Sequence, residues 1–332
     1  MTDDSPESKD IIESDLGPGY DIRLVPEPNR ELLSEKQLVD YRAQRRDFLE
    51  WMLHLGKDPD KAEGYSPYTV YETGYRTAAF DRWVWERDGY QLPTPEHGDE
   101  YLQEVAYSDQ SQSTKGKTEE AMARYFRWMP EHEWDPEYSF ESSGSSGPRD
   151  FLTRTERRQI RQAALDIDDG WLTPSMVWTS LDAGLRPVEV KRATVDWVDL
   201  QNGVLRIPRE DSSKNDGNWT VSLTNRTTEA LGHWLDERDY ESDLVWQTSH
   251  GNPYGSQSLS RLLDRLAVHA GIRTENRQLS WYAIRHSVGT YMAREEGLAA
   301  AQAQLRHKST QTTMKYDQVP VEDRRDALDR MG

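Results

Sequence analysis

The sequence predicts a mostly α-helical chain with a small antiparallel β-sheet, divided into two domains. Three observations carry this reading. Apolar residues recur at spacings of three and four through most of the chain, the period of helices that bury one face. One stretch, residues 197–223, breaks instead into short runs rich in β-branched residues, separated by an Asn-Gly turn and a polar loop. Finally, Glu141-Ser142-Ser143-Gly144-Ser145-Ser146-Gly147-Pro148 is a stretch that no core can use, so it reads as a flexible linker.

In chain order, residues 1–28 read as a disordered acidic tail, with Asp3, Asp4, Glu7, Asp10, Glu13, Asp15 and Asp21 among prolines and glycines. Residues 29–135 read as a helical domain. Ser34 is placed to cap a helix over 35–55, whose Tyr41, Arg45, Phe48 and Met52 share one side, and Gly56 and Pro59 end it. Ser66-Pro67 opens a second helix that Gly89 closes, and a third spans 95–107. A fourth runs from Thr114 or Thr118 to Met129, and four helices with short connections make an α bundle. Lys115 and Lys117 stand beside the expected start of the fourth helix, where they could contact a phosphate; a solvated helix start accounts for them equally well. Residues 136–150 form the linker.

The second domain covers 151–332. Thr153 and Glu156 make a capping box that opens a helix over 154–165. The small and apolar run 174–183 is a buried helix that Gly184 terminates, which leaves Arg186 at the turn. Three strands follow, at 197–200, 204–208 and 219–223, with Lys214 in the polar loop 209–218 between the last two. Helices are expected over 227–236, 257–270, 282–295 and 298–305, then a segment ending in Tyr316 and a last amphipathic stretch, 321–331.

Composition narrows the function classes. With 59 acidic and 41 basic residues the net charge is −18, so the chain as a whole would repel nucleic acid at low salt, whereas a nucleic-acid binder is expected to carry a basic face. Either nucleic acid is not the partner, or the protein is adapted to a salt-rich, halophilic cytoplasm. At molar salt the Debye length is about 3 Å, and distant carboxylates hardly oppose a local basic groove. The excess of Asp and Glu over Lys, with Arg carrying most of the positive charge, fits the second reading. The absence of cysteine excludes a disulfide framework, a thiolate zinc site and a cysteine nucleophile. No apolar run approaches the ~20 residues of a transmembrane helix, and the N-terminus lacks the hydrophobic segment of a signal peptide, so a cytoplasmic location is expected.

The chemistry concentrates late in the chain, in Leu305-Arg306-His307-Lys308-Ser309-Thr310-Gln311-Thr312-Thr313-Met314-Lys315-Tyr316. A tyrosine titrates near pH ~10 and is a poor nucleophile unless cations stabilise its phenolate. Candidate cations are Arg285 in Tyr282-Ala283-Ile284-Arg285-His286, Lys214, and Arg186 in Ala183-Gly184-Leu185-Arg186-Pro187-Val188-Glu189. This ordered set, Arg, Lys, x-x-x-Arg, His, Tyr, resembles the tyrosine recombinase (phage integrase) family over residues 151–320.

The resemblance implies an N-terminal core-binding domain that clamps one side of DNA, joined by the linker to an α+β catalytic domain. It implies that Tyr316 attacks a phosphodiester to form a 3′-phosphotyrosyl link, with no metal, ATP or other cofactor. Arg186 and Arg285 would grip the non-bridging oxygens, Lys214 would protonate the leaving 5′ oxygen, and His307 would bond the phosphate or assist Tyr316. Glu189 resembles the acidic residue that orients the first arginine. The implied partners are double-stranded DNA and further copies of the chain, as a tetramer on paired sites.

One position departs from the family pattern. Tyr282 stands where the family usually has histidine, and a phenol cannot act as an imidazole does near neutral pH. His286 reads as structural, because one residue turns a helix by about 100° away from Arg285. Two other readings share the fold: a DNA-binding regulator that has lost catalysis, which Tyr282 invites, and a monomeric relaxing enzyme of the type IB topoisomerase kind. A metal-dependent nuclease is disfavoured because His286, His307 and the acids near them lack ligand spacing.

Overall fold

In the computed structural model, which describes residues 11–12, 21–129, 134–140, 150–209, 211, 217–275, 277, 279–314, 316 and 320–331, side-chain caps set many of the helix starts. The chain divides into two units, Met1–Ser146 and Gly147–Gly332.

The first unit opens with a two-residue antiparallel pair, β1 (Ile11–Ile12) and β2 (Ile22–Arg23), and a single turn, α1 (Glu27–Arg30). Four longer helices follow: α2 (Glu35–His54), α3 (Pro67–Asp88), α4 (Pro95–Tyr107) and α5 (Gln112–Trp128). Ser34 and Gln37 form a reciprocal cap at α2, and Ser66, Thr94 and Ser111 cap the other three. Tyr41, Phe48, Met52, Phe80, Met122 and Phe126 form the centre of its core.

Three expectations need correction here. The tail does not extend to residue 28: Ile22, Leu24 and Val25 are buried in the helical core, a hydrophobic trio too short to stand out among the acids. Residues 1–10 and 13–20 lie outside the described residues. The linker does not begin at 136, because Trp134, Tyr138 and Phe140 pack on the same core and Glu119 accepts from the Phe140 amide at 2.6 Å; residues 141–149 lie outside the described ones. Lastly, Ser111 rather than a threonine starts α5, which places Lys115 in its first turn. That ammonium is buried and donates to the Ala106 carbonyl at 2.7 Å, capping the end of α4, while Lys117 stays exposed.

The second unit begins with α6 (Arg154–Asp166), α7 (Leu172–Ala183) and α8 (Pro187–Arg192). Helix α8 was not expected, since six residues hold too few periods to show a pattern. The sheet runs β3 (Val198–Asp199), β4 (Val204–Ile207), β5 (Trp219–Ser222) in that order, antiparallel, with Leu205 opposite Val221. The first strand is shorter than expected because Val195–Trp197 coils into a 3-10 turn. Then come α9 (Asn225–Glu237), α10 (Ser256–His269), α11 (Trp281–Glu296), α12 (Leu298–Leu305), α13 (Thr310–Met314) and α14 (Val321–Met331). Trp197, Trp246 and Trp281 are buried in one core with Met176, Leu181, Leu263 and Ile284. Gln304 fastens α12 to the sheet, donating to the Ser222 carbonyl at 2.8 Å and accepting from its amide at 3.2 Å. Among the described residues no helix is long and apolar enough to cross a membrane.

The first unit is tied internally by Arg45, which is fully buried and donates to the Leu24 carbonyl at 3.2 Å, Thr77 Oγ1 at 2.7 Å and the Gly74 carbonyl at 2.6 Å. Nearby, burial pushes the Asp81 carboxyl up to about 6, against the opposing pull of Arg45 and a 2.6 Å bond from Tyr41 Oη. Arg45→Ala would leave these acceptors and the Asp81 charge uncompensated, a loss of roughly 3–5 kcal/mol. Urea unfolding followed by tryptophan fluorescence should show that drop, and an unshifted midpoint would refute the tie.

Candidate active site

Gly184 ends α7 in the left-handed conformation, φ +58°, and turns the chain so that Arg186 becomes the N-cap residue of α8. Pro187 occupies the first helical position and Glu189 follows in the same turn. Glu189 is fully buried and is enclosed by donors. Its Oε2 accepts from the Arg186 amide at 2.7 Å and from Arg306 Nη2 at 2.7 Å; its Oε1 accepts from Arg186 Nη1 at 2.9 Å and Arg306 Nε at 3.3 Å. Burial alone would raise its pKa, but Arg306, Arg285 and Arg186 outweigh it and hold the carboxyl at about 2.

Arg285 comes from α11 and is 2% exposed. It donates to the Gly184 carbonyl at 2.6 Å, to the Leu305 carbonyl, and to His307 Nε2 at 3.0 Å. Burial, followed by the charges of Arg306 and Arg186, lowers it to about 9, so it stays charged at neutral pH. Three guanidinium charges against one carboxylate leave two positive charges in this cluster, inside a chain of net −18.

A guanidinium can only donate, so His307 Nε2 accepts, and its Nδ1 carries the proton toward Thr313 Oγ1 at 3.0 Å. The ring is therefore the neutral Nδ1–H tautomer. It lies parallel to the Tyr316 ring, 8° between planes and 5.7 Å between centroids. Tyr316 is 3% exposed, packs with Val288 and Leu305, and is tied through its amide to the Thr313 carbonyl at 2.9 Å. Gly289 makes this seat possible. A Cβ there would stand 2.7 Å from Tyr316 Cδ1 and 2.7 Å from Leu305 Cδ1, closer than carbon atoms approach.

The structure brings Arg186, Glu189, Arg285, His307 and Tyr316 together, and Lys214 lies outside the described residues. Tyr282 is 43% exposed, its ring 6.3 Å from that of His286. Lys115 and Lys117 belong to the first unit. His286, expected to be structural, has its Nδ1 3.2 Å from the Tyr316 hydroxyl. Four residues from Tyr282 and three from Gly289, it shares one helical face with both. Arg306 was also missed as a site residue. It stands directly before His307, yet its left-handed backbone, φ +56°, is a conformation the sequence gives little reason to expect outside glycine.

The chain is similar to known proteins in sequence and in fold. The model of the Phage integrase family matches residues 150–322. The tyrosine recombinase XerC of Pelobacter propionicus is 25% identical over 206 residues, covering 57% of this chain and 66% of that protein. The XerC of Proteus mirabilis is 26% identical over 147 residues, or 43% of this chain and 46% of that protein. The chain thus spans less than two thirds of the length of either curated relative. Among solved structures, the XerH site-specific recombinase bound to palindromic difH substrate superposes with a TM-score of 0.63 at 17% identity, covering 90% of each chain. A lambda integrase dimer bound to a COC′ core site gives 0.56 at 15% identity, covering 90% of this chain and 85% of the other. The fold is that of the tyrosine recombinases.

The Glu189 cluster predicts a direction of pH dependence. Its folded-state pKa of about 2 lies below the ordinary 4.5, so its contribution is fully present above pH 4.5 and is lost as pH falls toward 2. Glu189→Gln should lower the urea midpoint at pH 7 and lose less than the wild type between pH 6 and pH 3. Parallel acid limbs for the two proteins would contradict this.

Proposed function

The chain belongs to the phage integrase family, and from that premise we propose that it is a site-specific DNA recombinase that cuts and rejoins DNA through a 3′-phosphotyrosyl link at Tyr316. The observation that carries the reading is the two-positive guanidinium cluster built beside a seated tyrosine. A phosphodiester carries one negative charge, and phenolate attack adds a second in the pentacoordinate transition state. Two net positive charges match that demand.

In this reading Arg186 and Arg285 donate to the two non-bridging oxygens, since a planar guanidinium suits bidentate contact with phosphate. Glu189 holds Arg186 in place, and the Gly184 and Leu305 carbonyls hold Arg285. His307, already turned toward Arg285 through Nε2, can exchange that contact for a phosphate oxygen once it gains a proton. The Tyr316 oxygen bonds to phosphorus, the bond to the 5′ oxygen breaks, and Lys214 supplies that oxygen with a proton. Because the phosphotyrosyl link keeps the energy of the broken bond, rejoining needs no ATP. Because the compensating charge comes from side chains, the chemistry needs no divalent ion.

The same proposal assigns the first helical unit to gripping double-stranded DNA, with Lys117 at the exposed start of α5 among its contacts. It places four copies on paired sites in a salt-rich cytoplasm, where screening confines the effect of the acidic surface.

Tyr316→Phe and the wild type, each incubated in high potassium chloride and EDTA with nicked duplexes that cannot religate, should differ on denaturing gels. A covalent DNA–protein adduct is expected for the wild type and none for the variant. DNA retained on native gels without any adduct would favour the catalytically silent regulator, and sequence-independent relaxation of supercoiled DNA would favour the topoisomerase-like enzyme. Gly289→Ala, which displaces the Tyr316 ring, should slow adduct formation by roughly 100-fold with little change in DNA affinity.

A further inference from the structure

We propose that His286 is the proton acceptor for Tyr316, supplying one helical turn later the imidazole that position 282 lacks. The inference rests on the recombinase reading above.

Geometry selects it among the groups around the phenol. His286 Nδ1 lies 3.2 Å from Tyr316 Oη, within the range at which a base takes a proton. His307 is the other imidazole beside Tyr316, but its nitrogens are engaged: Nε2 accepts from Arg285 at 3.0 Å and Nδ1 donates to Thr313 at 3.0 Å. Its parallel stacking also presents the Tyr316 ring with a face, not with a nitrogen lone pair. Tyr282, a phenol 43% exposed on the same helix, has no basic lone pair near neutral pH.

The arrangement on α11 makes the assignment coherent. Arg285 is the phosphate ligand, His286 meets the hydroxyl, and Gly289 forms the floor under the ring, so one rigid helix sets the relation between cation, base and nucleophile. His286 is 8% exposed, so this contact is largely shielded from water. Arg285 also interacts electrostatically with Tyr316, which favours the phenolate as the proton leaves.

The Tyr316 O–H proton passes to His286 Nδ1, and the oxygen's electron pair forms the bond to phosphorus. The bond from phosphorus to the 5′ oxygen breaks, and that oxygen takes its proton from Lys214. In rejoining, the 5′ hydroxyl gives its proton back to the Lys214 amine and bonds to phosphorus, the bond from phosphorus to the Tyr316 oxygen breaks, and the imidazolium returns its proton to that oxygen. The tautomer this requires carries its hydrogen on Nε2.

The test is single-turnover cleavage of nicked duplex at saturating protein, comparing wild type, His286→Asn and His286→Ala, with melting temperature and DNA affinity measured alongside. An asparagine amide can keep a hydrogen bond to the phenol but cannot take its proton. His286→Asn should bind DNA as the wild type does and cleave 10²- to 10⁴-fold more slowly. Free imidazole should restore part of the rate to His286→Ala and none to Tyr316→Phe. A His286→Asn rate within threefold of the wild type, or a folded His286→Ala that imidazole does not rescue, would overturn the assignment while the wild-type adduct still upheld the recombinase reading. A wild type that forms no adduct would remove that reading and this inference with it.

Discussion

The second unit depends on one buried carboxylate. An ionised glutamate with no exposure costs several kcal/mol unless donors surround it. Glu189 is met by the Arg186 amide and guanidinium and by Arg306, with Arg285 acting on it through space. The donors arrive from the turn before α8 and the end of α12, and the Arg285 charge from the second turn of α11. Helix α8 buries its second residue after Pro187 where all three meet it, which couples the charge cluster to the packing of the domain. The same guanidiniums that solvate Glu189 are the groups proposed to meet a phosphate, which is why they are preorganised without DNA.

Around this cluster the nucleophile is held by contacts of a different kind. Tyr316 follows α13, and its ring rests on a glycine, beside a leucine and parallel to an imidazole. Polar anchoring of the cations and apolar seating of the phenol share α11, so small changes in the pitch or register of that helix would reach both.

Much of this was legible in the sequence. Caps such as Ser34, Ser66 and Thr153 mark helix starts by local chemistry alone, and the structure keeps all three. Arg186, Glu189, Arg285, His307 and Tyr316 could be grouped because their order resembles a family. What escaped was tertiary. Gly289 looks like any helical glycine until the Tyr316 ring is laid on it. Lys115 reads as a solvent-facing base until Ser111 moves the helix start and turns its ammonium onto Ala106. Ile22, Leu24 and Val25 carry too little periodicity to outweigh the acids around them. The contact of His286 with Tyr316 depends on a whole helical face, which its angle from Arg285 does not show.

Arg306 joins two demands that seldom fall on one residue. Its backbone is left-handed, which glycine or asparagine would fill more comfortably, while its guanidinium must span to Glu189 and to the carbonyls of Ala183, Gly184 and Gln304. Glycine would satisfy the first demand and abandon the second; lysine would carry the charge without the fork. Replacing Arg306 alone would therefore leave Glu189 short of two donors, and only a change of the carboxylate itself would relieve that.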